Sequence, residues 1–417
     1  MLNKIDGFSR KDGQLYCEDL PVEEIADNYD TPLYIYSRNH YLQQVKKFQD
    51  ALAGIEHQVC FAVKANSNLA ILKDLAAAGC GFDIISAGEL ERVRKAGGDP
   101  GSIVYAGVGK TEKEQEMALE AGIRLFNVES MPELEQLNRL AGQRGERARI
   151  SFRVNPDIDA PTHEKITTGK KETKFGIPGG KLEKYAAEAA ELDNVELSGL
   201  HFHIGSQITS PAPFARLAKK AREFVRVLRS EGHELETLNL GGGLGISYRD
   251  EQVLEPGRWA EAILPEIEEL GLKLIVEPGR FVVGNSGILV SEVIYRKEVE
   301  ARNFIVIDSG MNTLLRPAMY DAYHEIQPVT SHGRKKIEAD VVGPVCETGD
   351  ILGAKRTIEK PESGDRLAVF GAGAYGFSMA SHYNSYPRPA EILVDGDEEN
   401  LIRERESYED LWRHERL

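Results

Sequence analysis

Residues 58–85 read QVCFAVKANSNLAILKDLAAAGCGFDII. An apolar run at 58–63, a stretch of helical length and period at 67–79 and a second apolar run at 81–85 make one strand–helix–strand unit. The same unit repeats outward from there. Strand-like runs follow at 102–106, 123–128, 149–154, 196–203, 236–240 and 272–276, with helical segments such as 111–121, 131–144, 212–230 and 257–270 between them. A helix over 39–53, with Leu42, Val45 and Leu52 near one face, precedes the first strand. Pro132 after Ser130 predicts a helix start with Pro at N1. Eight strands alternating with helices over roughly 250 residues is the arithmetic of a (β/α)8 barrel of the TIM type. An open doubly wound sheet has the same alternation, and count and length favour the barrel.

The texture changes after residue 285. Runs at 288–297, 301–307, 336–343, 366–371 and 391–394 are strand-like, with no full-length helix between them. This predicts a second, β-rich C-terminal domain, closing with a short amphipathic helix near Tyr408–Trp412. Residues 1–34 read as short extended pieces, and periodicity alone leaves open which domain they join.

The 417 residues carry 51 Lys+Arg against 67 Asp+Glu, a formal charge of −16. That balance opposes nucleic-acid binding, and no run of five basic residues offers a local exception. Cys17, Cys60, Cys80 and Cys346 lie far apart without a CxxC pair, so no metal site is expected and a reducing compartment suits them. The first residues lack a signal-peptide core, and no apolar run approaches the ~20 residues needed to span a bilayer. The expectation is a cytoplasmic protein without membrane partners.

Barrel active sites form at the C-terminal ends of the strands, so the polar residues there are the informative ones. Lys64 follows the first strand, Asp83 sits on the second, and Arg153 and Asn155 end the fifth. The sixth runs into His201-Phe202-His203-Ile204-Gly205-Ser206, the seventh into Gly241-Gly242-Gly243-Leu244-Gly245, and the eighth into Glu277-Pro278-Gly279-Arg280. Each has a bland reading: a solvated lysine, a satisfied core histidine, a turn, a rim salt bridge between Glu277 and Arg280. Together they are more specific. A lysine for a Schiff base, a flat ring for stacking, a glycine-built anion cradle and a strand-end carboxylate are the parts that hold pyridoxal 5′-phosphate. The carboxylate keeps the pyridine nitrogen protonated, which makes the ring an electron sink.

On these pieces the chain resembles the diaminopimelate decarboxylases, which pair an alanine-racemase-like barrel with a β-domain. The resemblance runs from Thr31-Pro32-Leu33-Tyr34 to Tyr375-Gly376. It includes Phe61-Ala62-Val63-Lys64-Ala65-Asn66, Ser86-Ala87-Gly88-Glu89-Leu90, Lys174-Phe175-Gly176, His203-Ile204-Gly205-Ser206-Gln207, the glycine run, Glu277-Pro278-Gly279-Arg280 and Cys346-Glu347-Thr348-Gly349-Asp350. The family more often has Ser where Thr348 stands. The resemblance implies that Lys64 carries the cofactor and His203 stacks on its ring. It places Ser206, Gly241, Gly242, Gly243, Gly279 and Arg280 around the phosphate, with Arg280 also facing substrate. Glu277 would meet the ring nitrogen, and Tyr375 would contact cofactor and substrate. Arg316, Tyr320 and Glu347 would bind the non-reacting end of a small amino-acid substrate, and Cys346 would protonate the carbanion left by CO2. The product would be L-lysine. The resemblance further implies a homodimer with shared active sites, and domains of 35–284 for the barrel and 1–34 with 285–417 for the β-domain. Readings left open are a same-fold decarboxylase of ornithine, arginine or carboxynorspermidine, a racemase, and a non-catalytic cofactor-binding regulator.

Overall fold

A computed structural model describes residues 7–158, 174–249, 251–300 and 302–417. The chain divides into two compact units. One comprises residues 44–246 and 252–279, and the other residues 1–43, 247–251 and 280–417.

The first unit is a closed barrel. Its eight parallel strands are His57–Ala62, Gly81–Ile84, Ile103–Tyr105, Leu125–Val128, Ala148–Asn155, Val195–His201, Thr237–Asn239 and Lys273–Val276. Each pairs with the next, and the eighth returns to the first through Leu274 opposite His57 and Val276 opposite Val59. Closure rules out the open sheet that the sequence pattern also allowed. The strands are short and largely buried, so they read as continuous apolar runs. The helices explain their own boundaries. Ser86 caps the helix Ala87–Lys95 by accepting from the Glu89 backbone, and Glu89 accepts from the Ile85 backbone at 2.7 Å. Thr111 and Glu114 form a full capping box on Glu112–Ala121, which ends at left-handed Gly122. Ser130 caps Met131–Arg144, so Pro132 stands at the second helical position, one later than the sequence suggested.

The long helix Ala212–Ser230 buries Phe214, Leu217, Ala218, Ala221, Val225 and Leu228, the spacing of one helical stripe. Phe214 and Phe48 both meet Trp259 edge-on, at 6.2 and 5.8 Å, which locks three outer helices together.

The second unit is built on a mixed sheet in the order Ile351–Glu359, Lys336–Val342, Arg302–Ile307, Gly287–Val299, Leu33–Ser37, Ala390–Asp395, Glu398–Arg403. Leu33–Ser37 lies in its middle, antiparallel to Gly287–Val299 and parallel to Ala390–Asp395. All five of its residues are buried, so it shows no alternation for a sequence reading to find. Two expectations fail here. Val22–Tyr29 is a helix, not an extended piece, and the C-terminal segment is only a 3₁₀ turn over Glu409–Leu411 with Tyr408 and Trp412 exposed. Among the described residues no helix is long and apolar enough to cross a membrane, and no group of His, Cys, Asp and Glu is placed to hold a metal.

Candidate active site

Lys64 lies in a 3₁₀ turn, Val63–Ala65, immediately after the first barrel strand. Its Nζ is 2.7 Å from Asp83 Oδ2, with the lysine side chain part-exposed and Asp83 buried. Burial first, and then the charge of Glu277, raise the Asp83 carboxyl to about 6, with Lys64 opposing the rise. Asp83 Oδ1 is buried without a hydrogen-bond partner among the described residues.

Glu277, at the end of the eighth strand, is buried and holds two partners. Its Oε1 accepts from Asn239 Nδ2 at 2.6 Å, and its Oε2 lies 3.2 Å from His201 Nε2. Burial alone would raise this carboxyl. The charge and hydrogen bond of His201, with Lys64 and Asn239, overcome that and hold it at about 2. The result is a buried carboxylate kept ionised. Asn239 also accepts from the Gly241 backbone at 2.8 Å, so one side chain ties the carboxylate to the glycine loop.

That loop has no room for side chains. A Cβ on Gly241, Gly242 or Gly243 would sit 2.4, 2.1 or 2.5 Å from the carbonyl oxygens of Phe202, Glu277 and Gly205 respectively. Gly242 N–H donates to His203 Nδ1 at 3.4 Å, which orients the imidazole and leaves its hydrogen on Nε2. Burial first, then the positive charges of Arg153 and Lys64, push the His203 pKa down, so the ring is neutral. Ser206 is half-buried in the turn that follows, and a Cβ on Gly279 would press on Ala65 and Ala62.

Lys174-Phe175-Gly176 finds its reason nearby. Glu129 Oε1 accepts from Arg153 Nη1 at 2.8 Å and from Gly107 N at 3.0 Å, and its Oε2 accepts from Gly176 N at 2.9 Å. Arg153 lies 4.7 Å over the Phe175 ring. Gly176 has φ +70 with the Arg153 carbonyl 2.8 Å from any Cβ, so only glycine suits it. The loop around 157–173 lies mostly outside the described residues.

The remaining predicted residues belong to the second unit. Arg280 and Arg316 are both buried, and Arg280 Nη1 donates to Tyr248 Oη at 2.6 Å. Tyr375 stands 4.8 Å beneath the Arg280 guanidinium and has φ +57. Arg316 and Tyr320 open and close one helical turn four residues apart, and so share a face. Cys346 and Glu347 sit exposed on a loop pinned by Asp350, whose carboxylate accepts from Val345 N at 2.8 Å and Met311 N at 2.6 Å. Cys346 N–H donates to Asn384 Oδ1 at 3.0 Å, and Tyr383 Oη donates to Glu347.

Comparison with known proteins fixes the family. The sequence family described as pyridoxal-dependent decarboxylase, pyridoxal binding domain, matches residues 38–284. A diaminopimelate decarboxylase of Pseudomonas aeruginosa is 48% identical over 413 residues, covering 99% of each chain. The chain belongs to the diaminopimelate decarboxylases. Among solved members of the family, the diaminopimelate decarboxylase of M. jannaschii, in complex with L-lysine, superposes with a TM-score of 0.94 at 39% identity, covering 99% of this chain and 98% of that one. The Helicobacter pylori enzyme, also with L-lysine, gives 0.91 at 40% identity, covering 94% and 98%. The family's cofactor is pyridoxal 5′-phosphate, and the residues fit it: a part-exposed amine, an ionised buried carboxylate, and backbone N–H groups on a loop where any Cβ would collide.

Three contributors had no role assigned from sequence: Asp83, His201 and Asn239. The sequence marks Asp83 and His201 only by their place on barrel strands, and Asn239 ends the strand that leads into the glycine run. Glu277 pairs with His201 and Asn239, and Arg280 with Tyr248.

Proposed function

We propose a division of labour among the residues of this carboxy-lyase, which converts meso-2,6-diaminopimelate to L-lysine and CO2 in the last step of lysine biosynthesis. When bound, pyridoxal 5′-phosphate supplies a sink for the electron pair that departing CO2 leaves behind. Lys64 would hold the cofactor through its amine, and His203 would stack on its ring. Ser206, Gly241, Gly242, Gly243, Gly279 and Arg280 receive the phosphate. Glu277, ionised and buried, holds a proton at the ring nitrogen. Tyr375 contacts cofactor and substrate, and Arg280 also faces the substrate.

Specificity falls to the end of the substrate that does not react. It carries an ammonium and a carboxylate, so it needs an anion and a cation, and Glu347 and Arg316 supply them beside Tyr320. Loss of CO2 from the reacting centre leaves the distal carboxylate in the L-lysine product, so Arg316 serves substrate and product alike. Cys346 delivers the proton from Sγ to the carbon that lost CO2.

The assembly proposed is a homodimer with shared sites; the domain bounds expected from sequence, 35–284 and 1–34 with 285–417, would cut the strand Leu33–Ser37, so the division proposed follows the two compact units. A cytoplasmic location suits four free thiols. The observation that carries the reading is Glu277, a deeply buried carboxylate held ionised by His201 and Asn239, an arrangement of no use to a purely structural barrel. The test is CO2 release from diaminopimelate, ornithine, arginine and carboxynorspermidine in parallel, with borohydride trapping of the cofactor. Turnover of diaminopimelate with label on Lys64 is expected. Preferred turnover of another amino acid, or label elsewhere, would overturn it.

A further inference from the structure

Arg316 is buried beside a second arginine, Arg280, with the Tyr248 ring next to both: the guanidinium carbons lie 4.6 and 6.0 Å from its centroid. A guanidinium carries five N–H donors and no acceptor, so a fixed acceptor is what confines it to one pose. For Arg316 that acceptor is His324, with Nη1 2.8 Å from Nε2. The other ring nitrogen, Nδ1, lies 2.8 Å from the carbonyl oxygen of Phe370.

These two contacts admit a single protonation state. A guanidinium only donates, so Nε2 must offer its lone pair. A carbonyl only accepts, so Nδ1 must carry the hydrogen. His324 is fully buried, and its ring stands edge-on to Tyr248 at 5.2 Å and 74°. Its anchor is equally firm, because the Phe370 backbone donates to Glu325 O at 2.8 Å, continuing the antiparallel pairing of Ile326–Pro328 with Arg366–Val369. The chain of contacts runs from sheet carbonyl to imidazole to guanidinium. Burial, and next the charge of Arg316, depress the imidazole to about 3, in keeping with a ring that is never charged at neutral pH.

We propose that His324 is a positioning residue for substrate recognition, its Nε2 lone pair holding the Arg316 guanidinium in the orientation that receives the carboxylate of the substrate's non-reacting end. The proposal rests on the reading that Arg316 binds that carboxylate.

The test compares two polar replacements in the cofactor-loaded enzyme. His324→Asn keeps a donor near the Nδ1 position for Phe370 but offers nothing at Nε2, while His324→Gln places an amide oxygen near Nε2. Two ligands separate recognition from folding. L-Lysine and pentane-1,5-diamine both present an amine to the cofactor, and only L-lysine has the distal carboxylate. His324→Asn is expected to weaken L-lysine by about tenfold, the scale of a hydrogen bond to a charged group, and the diamine by less than about twofold. KM for diaminopimelate should rise with kcat nearly unchanged, and His324→Gln should restore most of the loss. Arg316→Met is the reference arm. If it abolishes the preference for L-lysine over the diamine while His324→Asn leaves that preference intact, the positioning role is wrong and the reading of Arg316 stands. Equal losses for both ligands in His324→Asn, or no difference between Asn and Gln, reject positioning in favour of a filler of the core. If Arg316→Met itself keeps the preference, the reading of Arg316 falls and the proposal with it.

Discussion

Glu277 shows how a residue acquires its chemistry from its neighbours. Burial would neutralise it, and its two partners His201 and Asn239, with the charge of Lys64, hold it ionised at about 2. Glu277→Gln keeps the shape and the Asn239 contact but cannot retain a proton at the ring nitrogen as well. An interaction of about 3 kcal/mol lost only in the transition state corresponds to roughly a hundredfold in rate. The expected outcome is full cofactor occupancy by absorbance with kcat down by about that factor; an unchanged kcat would remove Glu277 from its role. Asp83 is the opposite case. Its folded pKa, about 6, lies above the ordinary 3.8, so folding favours the protonated form. The stability this withholds is absent below pH 4, where both states are protonated, and reaches its full size once pH exceeds about 6. Asp83→Asn is therefore expected to stabilise the cofactor-free protein at pH 8, with the gain fading as pH falls toward 4. Thermal unfolding of both proteins across pH 4–8 checks this, and a gain that grows on acidification would contradict it.

The element that turns a strand end into a cradle is the loop after Thr237–Asn239. Its glycines are dictated by approach, since a Cβ on Gly242 would lie 2.1 Å from the Glu277 carbonyl oxygen, a backbone atom that cannot swing aside. Gly242→Ala should force the loop away from Glu277 and His203, at a cost of about 1–3 kcal/mol of overpacking, and lower cofactor affinity at least tenfold. Retention of cofactor on dialysis, followed by absorbance, measures it, and undiminished retention would show that the loop yields. Periodicity revealed the barrel strands because short buried strands separated by amphipathic helices leave a regular trace. It passed over Val22–Tyr29, a helix of eight residues, and Ile351–Glu359, where Lys355 and Arg356 interrupt the apolar pattern of a real strand. The site was legible where residues cluster at strand ends, as with Lys64, His203 and Glu277. It was not legible where a role depends on a partner distant in sequence: His201 and Asn239 matter through Glu277, 76 and 38 residues away. His324 matters through Arg316 and Phe370, and nothing in a run of Tyr-His-Glu announces either contact.

At the scale of the whole molecule the question is which barrel Cys346 serves. It is exposed, on a loop held in shape by Asp350, and lies in a different compact unit from Lys64. A two-fold axis would let two chains exchange these loops reciprocally, each completing the other's barrel. A loop that served its own chain would need no partner. Mixing two inactive variants distinguishes the cases. Lys64→Ala and Cys346→Ala are each expected to lose nearly all turnover alone. In a mixed dimer with shared sites, one site carries both defects and the other carries neither. Random reassortment of equal amounts makes half the dimers mixed, and each has one intact site of two, so activity should recover to about one quarter of the parent enzyme. Native mass spectrometry of differently tagged chains verifies that exchange has occurred. Exchange without recovery would assign Cys346 to its own chain's barrel and end the shared-site reading, while leaving the roles of Lys64 and Glu277 untouched.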